Sequence, residues 1–281
     1  MTLEDKLMDD VRNGKQIDIE RALLIASGCE TEEKVSEYKT KLNEIEKQFH
    51  GYASARNVQG EVETAKALHE FLWLGKIEED YVRECSNLVD MIEVIMHSQT
   101  MGEGDCVGLS SLLGALGARQ GLEFTVLYNT IHVLSRLRVG EKVIDIETIS
   151  PIGFDIPTHH SLLEGYKGLR EGKVTALIAS LYCLKGVAKR RLGRFEEAIR
   201  DYDKAIELNP DSAAAYNNRG VAKYYLGRLE EAIADYSKAI EIVPYYTLSY
   251  ANRSMPKSAL GDIEGCKEDV RIYRQLLRNA A

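Results

Sequence analysis

Residues 182–215 and 216–249 align at an offset of 34, and 19 of the 34 paired positions are identical. The matched pairs include Gly186 with Gly220, Gly193 with Gly227, Ala198 with Ala232, Tyr202 with Tyr236, Ala205 with Ala239 and Pro210 with Pro244. The next register keeps Leu260, Gly261 and Asp262 and then decays. A fixed period of this length means that one supersecondary unit is built again and stacked, because so short a unit cannot bury its apolar face alone. This constrains the C-terminal part of the chain to a helical solenoid.

Residue size sets the internal design of each unit. Gly186, Ala198 and Ala205 sit where two antiparallel helices, A and B, approach closely. Gly193 breaks the chain between them, and Pro210 ends helix B because proline cannot continue the hydrogen-bond ladder. The pattern resembles the tetratricopeptide repeat, with two full repeats and a degenerate third from Tyr250 that serves as a C-terminal cap. Pro256 departs from the pattern and predicts a kinked or shortened helix.

The front of the chain reads differently. Helical apolar spacing runs over 3–27, 31–49, 62–74, 81–97 and 106–120, the last closed by Gly121. The period then changes. Residues 123–128, 131–137 and 142–149 read as strands, with Gly140-Glu141 as a turn. Residues 150–173 read as loop or short helix. The expected fold class is therefore α+β: a helical N-terminal region and a small antiparallel sheet, followed by an all-α solenoid. The expected domains are 1–154, a connecting segment 155–181, and 182–281.

Charge and cysteine usage exclude several function classes. The net charge is −8 and the pI about 5.4, so there is no basic excess to neutralise phosphates and no nucleic-acid partner is expected. No apolar run is long enough to span a bilayer, and the charged start lacks the apolar core of a signal peptide, so no membrane association is expected. The five cysteines are scattered and contain no CxxC pair, which indicates neither a zinc site nor a disulfide framework. The expectation is a cytoplasmic protein with reduced thiols, no metal and no cofactor.

One segment carries candidate chemistry. Cys106 follows the glycine-broken loop Met101-Gly102-Glu103-Gly104, with Asp105 as its expected N-cap. A thiol at a helix N-terminus gains thiolate character from the backbone N–H groups and the helix dipole. His132 lies on the second expected strand, between two β-branched residues. The hairpin register selects the acid. A turn at Val139-Gly140 sets His132 opposite Glu147, whereas a turn at Gly140-Glu141 sets it opposite Ile149. Asp145 shares the face of Glu147 but lies further from the histidine in both cases. Glu147 is the first choice of orienting acid and Asp145 the second.

Residues from about Ile17 to Phe154 resemble the transglutaminase-like (papain-like) superfamily. More narrowly, they are similar to a branch in which a helical region precedes a Cys-His-acid core and tetratricopeptide repeats follow. The motifs fall on Gly104-Asp105-Cys106 with Leu109-Ser110, on His132-Val133, and on Asp145-Ile146-Glu147-Thr148. The resemblance implies Cys106 as nucleophile, His132 as general base and then acid, and acyl transfer or amide hydrolysis through a thioester. Gln99 and the backbone N–H of Cys106 are the oxyanion candidates. Val133-Leu134 follow the histidine where active relatives often carry an aromatic. The alternative is a non-catalytic interaction scaffold that keeps the fold.

The inner face of the A helices is expected to hold Arg190, Asn217, Asn218, Tyr224 and Asn252, which suit recognition of peptide backbone and carboxylate on a protein or peptide partner. Repeat domains that clamp chaperone tails carry Lys and Asn in the first repeat and Lys and Arg in the third. Cys183, Val187, Leu248 and Asn252 take those places and only Asn218 fits, so that role is rejected.

Overall fold

The computed structural model describes residues 1–77, 103–129, 133–146 and 169–280. The chain divides into two compact units, Met1–Leu181 and Tyr182–Ala281.

The first unit opens with α1 (Leu3–Arg12), α2 (Ile19–Ala26), α3 (Glu32–Ala55) and α4 (Glu61–Ile77). Side-chain caps start the first three. Thr2 and Asp5 form a reciprocal capping box, and Asp18 and Thr31 accept from the amides of Arg21 and Lys34. The continuous helical spacing over 3–27 is thus interrupted: α1 ends at Arg12, Gly14 beyond it turns at φ of +63°, and the cap at Asp18 restarts the chain as α2. After α5 (Glu103–Arg119) come β1 (Phe124–Tyr128), β2 (Val133–Val139), β3 (Lys142–Ile146) and β4 (Arg170–Gly172). They form an antiparallel sheet in the order β3-β2-β1-β4.

Strand alternation gives this sheet two different faces. Phe124, Leu137, Ile144 and Ile146 join Leu112, Leu113 and Leu116 of α5, Leu42, Ile45 and Phe49 of α3, and Leu68 of α4 in one apolar core. Gly117 allows α5 to sit on β1, since a Cβ there would run into the Phe124 ring. Phe49 is 1% exposed, and its replacement by alanine would cost about 3–5 kcal/mol. The other face carries Thr125, Arg136, Arg138, Asp145 and Glu171.

The hairpin turns at Gly140-Glu141, pairing Val139 with Lys142 and Arg136 with Asp145. Gly140 has φ of +58°, which suits the first central position of a type II′ hairpin. The Val139-Gly140 turn is therefore ruled out, and with it the pairing on which Glu147 was preferred over Asp145. Residues 170–172, read from the sequence as loop, instead add the edge strand β4 beside β1. Three ordered residues flanked by glycine and charge left no periodicity to detect.

The repeats comprise α6 (Val174–Arg191), α7 (Phe195–Leu208), α8 (Ala213–Tyr225), α9 (Leu229–Ile242), α10 (Thr247–Ala259) and α11 (Ile263–Ala280). Gly193, Gly227 and Gly261 have φ of +75°, +74° and +82°. This left-handed geometry between A and B helices is why the period repeats glycine there. Helix α6 begins eight residues before the sequence repeat does. Pro256 does not shorten its helix: α10 has the same 13 residues as α8. It lacks its own amide, but its carbonyl still accepts from Leu260 at 3.0 Å.

Candidate functional site

Each repeat buries a carboxylate between its two helices. Asp235 of α9 is 4% exposed. It accepts from Arg219 Nε and Nη2 at 2.9 and 2.6 Å and lies 2.8 Å from Lys223 Nζ. Asp269 of α11 has the same arrangement, with Arg253 at 2.9 and 2.7 Å and Lys257 at 2.9 Å. In the first repeat Lys189 is 2.7 Å from Asp201, but Lys185 stands where Arg219 and Arg253 stand in the others. Burial raises the Asp201 pKa, against Lys189, Lys185 and Lys204. These charges are committed to joining A helices to B helices.

The inner row is different. Asn218 of α8 donates to Cys183 Sγ of α6 at 3.7 Å. Ser249 and Asn252 of α10 both donate to Asn217 Oδ1 of α8 at 3.0 Å. These bonds link α6, α8 and α10 side by side. Asn217 is 3% exposed, so its expected place on a ligand-facing surface is corrected: it joins neighbouring repeats. Asn218 and Asn252 are half-buried. Leu248 and Met255 lie about one turn either side of Asn252 and are exposed, while Val187 and Val221 lie one turn after Cys183 and Asn218. The result is an uncharged strip of amide and apolar side chains. Tyr224 is half-buried and meets the edge of Tyr225, which stacks on Phe195 at 5.1 Å. Arg190 is half-buried at the end of α6, beside the hydroxyls of Tyr202 and Tyr236. In the sequence those two tyrosines stand only as a matched pair of the 34-residue repeat.

In the first unit, Cys106 is the fourth residue of α5, within its first turn. The helix starts at Glu103, so Asp105 lies inside it and is not its N-cap. His132, Glu147 and Gln99 lie outside the described residues. Asp145 is 4% exposed and its oxygens accept from Arg136 Nε and Nη2 at 2.6 and 2.8 Å. This makes Asp145, the second choice of orienting acid, the buried partner of Arg136. Glu171 of β4 completes this cluster, accepting from Arg136 at 2.9 Å, from Arg138 at 2.7 and 2.8 Å and from Thr125 at 3.0 Å. The arginines Arg138 and Arg136 hold its carboxyl down to a pKa of about 2.

Comparison with known proteins identifies the repeats. Residues 183–247 match the tetratricopeptide repeat family, and this part of the chain carries tetratricopeptide repeats. No curated protein matches the chain. Among solved structures, the first tetratricopeptide domain of Spaghetti (RPAP3), bound to the HSP90 peptide SRMEEVD, is 28% identical. That match covers 36% of this chain and 80% of that one, with a TM-score of 0.35. The Arabidopsis OM64 tetratricopeptide domain is 25% identical over 36% of this chain and 84% of that one, with a TM-score of 0.36. The MamA crystal structure is 16% identical over 89% of this chain and 96% of that one, also at 0.36. Among the described residues no helix is long and apolar enough to cross a membrane.

Proposed function

We propose that the repeats hold an extended segment of a partner protein along the inner row of α6, α8 and α10. The observation that carries this reading is the separation of charge from that row. Each repeat ties its buried carboxylate to lysine or arginine between helices A and B. The inner strip presents Asn218, Asn252, Leu248 and Met255. A primary amide both donates and accepts, as an extended backbone requires, and flanking apolar side chains take alternate residues of a peptide. The test is binding of the full chain to a peptide array. Met255→Glu and Asn218→Lys should weaken retained peptides at least tenfold, with Leu192→Glu on the A–B turn as control. Equal loss in all three would show that the strip is not the site.

A second activity belongs to the first unit: acyl transfer or amide hydrolysis through a thioester on Cys106. His132 would act as base and then acid, and Glu147 would orient it. This reading is supported by Cys106 in the first turn of α5, in the same unit whose β2 begins one residue after His132 and whose β3 ends one before Glu147. Iodoacetamide should label Cys106 faster than Cys183 at neutral pH, because only a thiolate reacts readily. Equal rates would leave the unit as a scaffold.

A further inference from the structure

Tyr202 and Tyr236 are each 0% exposed. Each ring fills the gap left by an A-helix glycine: a Cβ on Gly186 would come within 2.6 Å of Tyr202, and one on Gly220 within 2.8 Å of Tyr236. Arg190 stands one turn beyond Gly186 on the same helix face, and its charge reaches both hydroxyls. Arg190 donates to the Tyr202 hydroxyl, but neither tyrosine's own hydroxyl hydrogen meets an acceptor among the described residues. Buried polar groups are satisfied in the great majority of cases, so two such donors call for an explanation. The carboxylates whose charge bears on these hydroxyls, Asp201 and Asp235, are already held by Lys189 and by Arg219 with Lys223. Burial raises the pKa of both tyrosines well above the ordinary phenol value, so both stay protonated as donors.

We propose that Arg190, Tyr202 and Tyr236 form a receptor for a carboxylate of the bound peptide segment. A carboxylate brings two oxygens with about four acceptor positions, which matches a guanidinium fork backed by hydroxyl donors. Half-buried Arg190 is the member through which the anion enters, and the tyrosines lie behind it. The 34-residue register places Tyr224 and Ser258 at the equivalents of Arg190, so the receptor is confined to the first repeat and fixes where an acidic group of the partner docks. This rests on the peptide-binding reading of the inner row. Both a C-terminal carboxylate and an Asp or Glu side chain fit the chemistry.

The full chain, labelled with ¹⁵N at arginine, is titrated with N-acetylglycine and separately with N-acetylglycinamide. The Arg190 Nε resonance should move saturably with the acid and not with the amide. Tyr202→Phe and Tyr236→Phe keep the rings and the fold, and each should weaken the response at least fivefold. Arg190→Gln should abolish retention of acidic peptides. An equal response to acid and amide, or unchanged affinity in both phenylalanine variants, overturns the proposal. Octapeptide pools with free or amidated C-termini, with and without Asp and Glu, then separate the two carboxylate sources. Peptides bound without regard to carboxylates would leave the inner-row reading standing and sink the receptor. A saturable response at Arg190 with no peptide retained from any pool would do the reverse.

Discussion

Serine at Gly220 and valine at Tyr236 should each damage the second repeat, and together they should largely repair it. The third unit already contains this combination, with Ser254 and Val270 at the same two places in the 34-residue register. A Cβ on Gly220 would lie 2.8, 3.0 and 3.1 Å from Cε1, Cδ1 and Cζ of Tyr236, where comfortable carbon contacts run about 3.5–4.0 Å. The ring is fully buried and cannot swing out of the way. Overpacking of this kind costs about 1–3 kcal/mol, and exchanging an interior helical glycine for serine returns only about 0.5 kcal/mol. Gly220→Ser should therefore lose about 1–2 kcal/mol. Tyr236→Val empties the volume of the ring and should lose about 2–4 kcal/mol. Independent effects would sum to about 3–6 kcal/mol, whereas residues in direct contact couple by up to about 3 kcal/mol. Urea unfolding followed by far-ultraviolet circular dichroism on the wild type, both single variants and the double variant measures the coupling. Additivity within about 0.5 kcal/mol would refute the account of Gly220 as the gap that admits the ring.

The remaining predictions concern charge and inter-repeat bonding. Asp235→Asn should cost about 3 kcal/mol, because it leaves Arg219 and Lys223 without their shared buried partner. Asp201→Asn should cost under about 1 kcal/mol at pH 7: its folded pKa is raised, so the stability it contributes is present in acid and lost as pH rises through that value, and the ionised carboxyl helps little at neutrality. Thermal unfolding of both variants at pH 7 compares them, and a larger loss from Asp201→Asn would contradict the assignment. Glu171 has its folded pKa depressed to about 2, so its contribution is present above the ordinary glutamate value and is lost as pH falls from there toward 2. Glu171→Gln should flatten that part of the acid-unfolding profile, and an unchanged profile would count against the Arg136–Glu171–Arg138 cluster. Asn217→Ala removes the acceptor of both Ser249 and Asn252 and should cost about 1–3 kcal/mol. Its effect on peptide retention should be smaller than that of Asn218→Lys, and the reverse order in the array assay would return Asn217 to the ligand-facing surface.

The repeats were legible because identity at fixed spacing reports packing directly. Gly186, Gly220, Tyr202 and Tyr236 recur since each ring needs its glycine. Asp269 was less visible, because the register decays around it even though the Arg253 and Lys257 pairing survives. In the first unit, periodicity located α5 and the strands, but the acid depended on one turn. Moving the hairpin turn from Val139-Gly140 to Gly140-Glu141 exchanges the partner of Asp145 from Leu134 to Arg136. Alternation alone cannot choose between two registers that preserve the same faces. The break between α1 and α2 was hidden for a related reason: the apolar spacing continues through Gly14, and only the cap at Asp18 marks a new start. Buried donors lacking acceptors leave no trace in a sequence, so Tyr202 and Tyr236 stand there only as a matched pair of the repeat.

The matched sizes of Gly220 with Tyr236 and of Ser254 with Val270 decide what can be cut and rejoined. A chimera that carries α8 of this chain with α11 would face a glycine with a valine and leave a hole, and one joining α10 to α9 would drive a serine into a tyrosine. Only a whole A–B hairpin is transferable. Lengthening or shortening such an array by recombination therefore succeeds at the turns after helix B and fails at the turns within a hairpin.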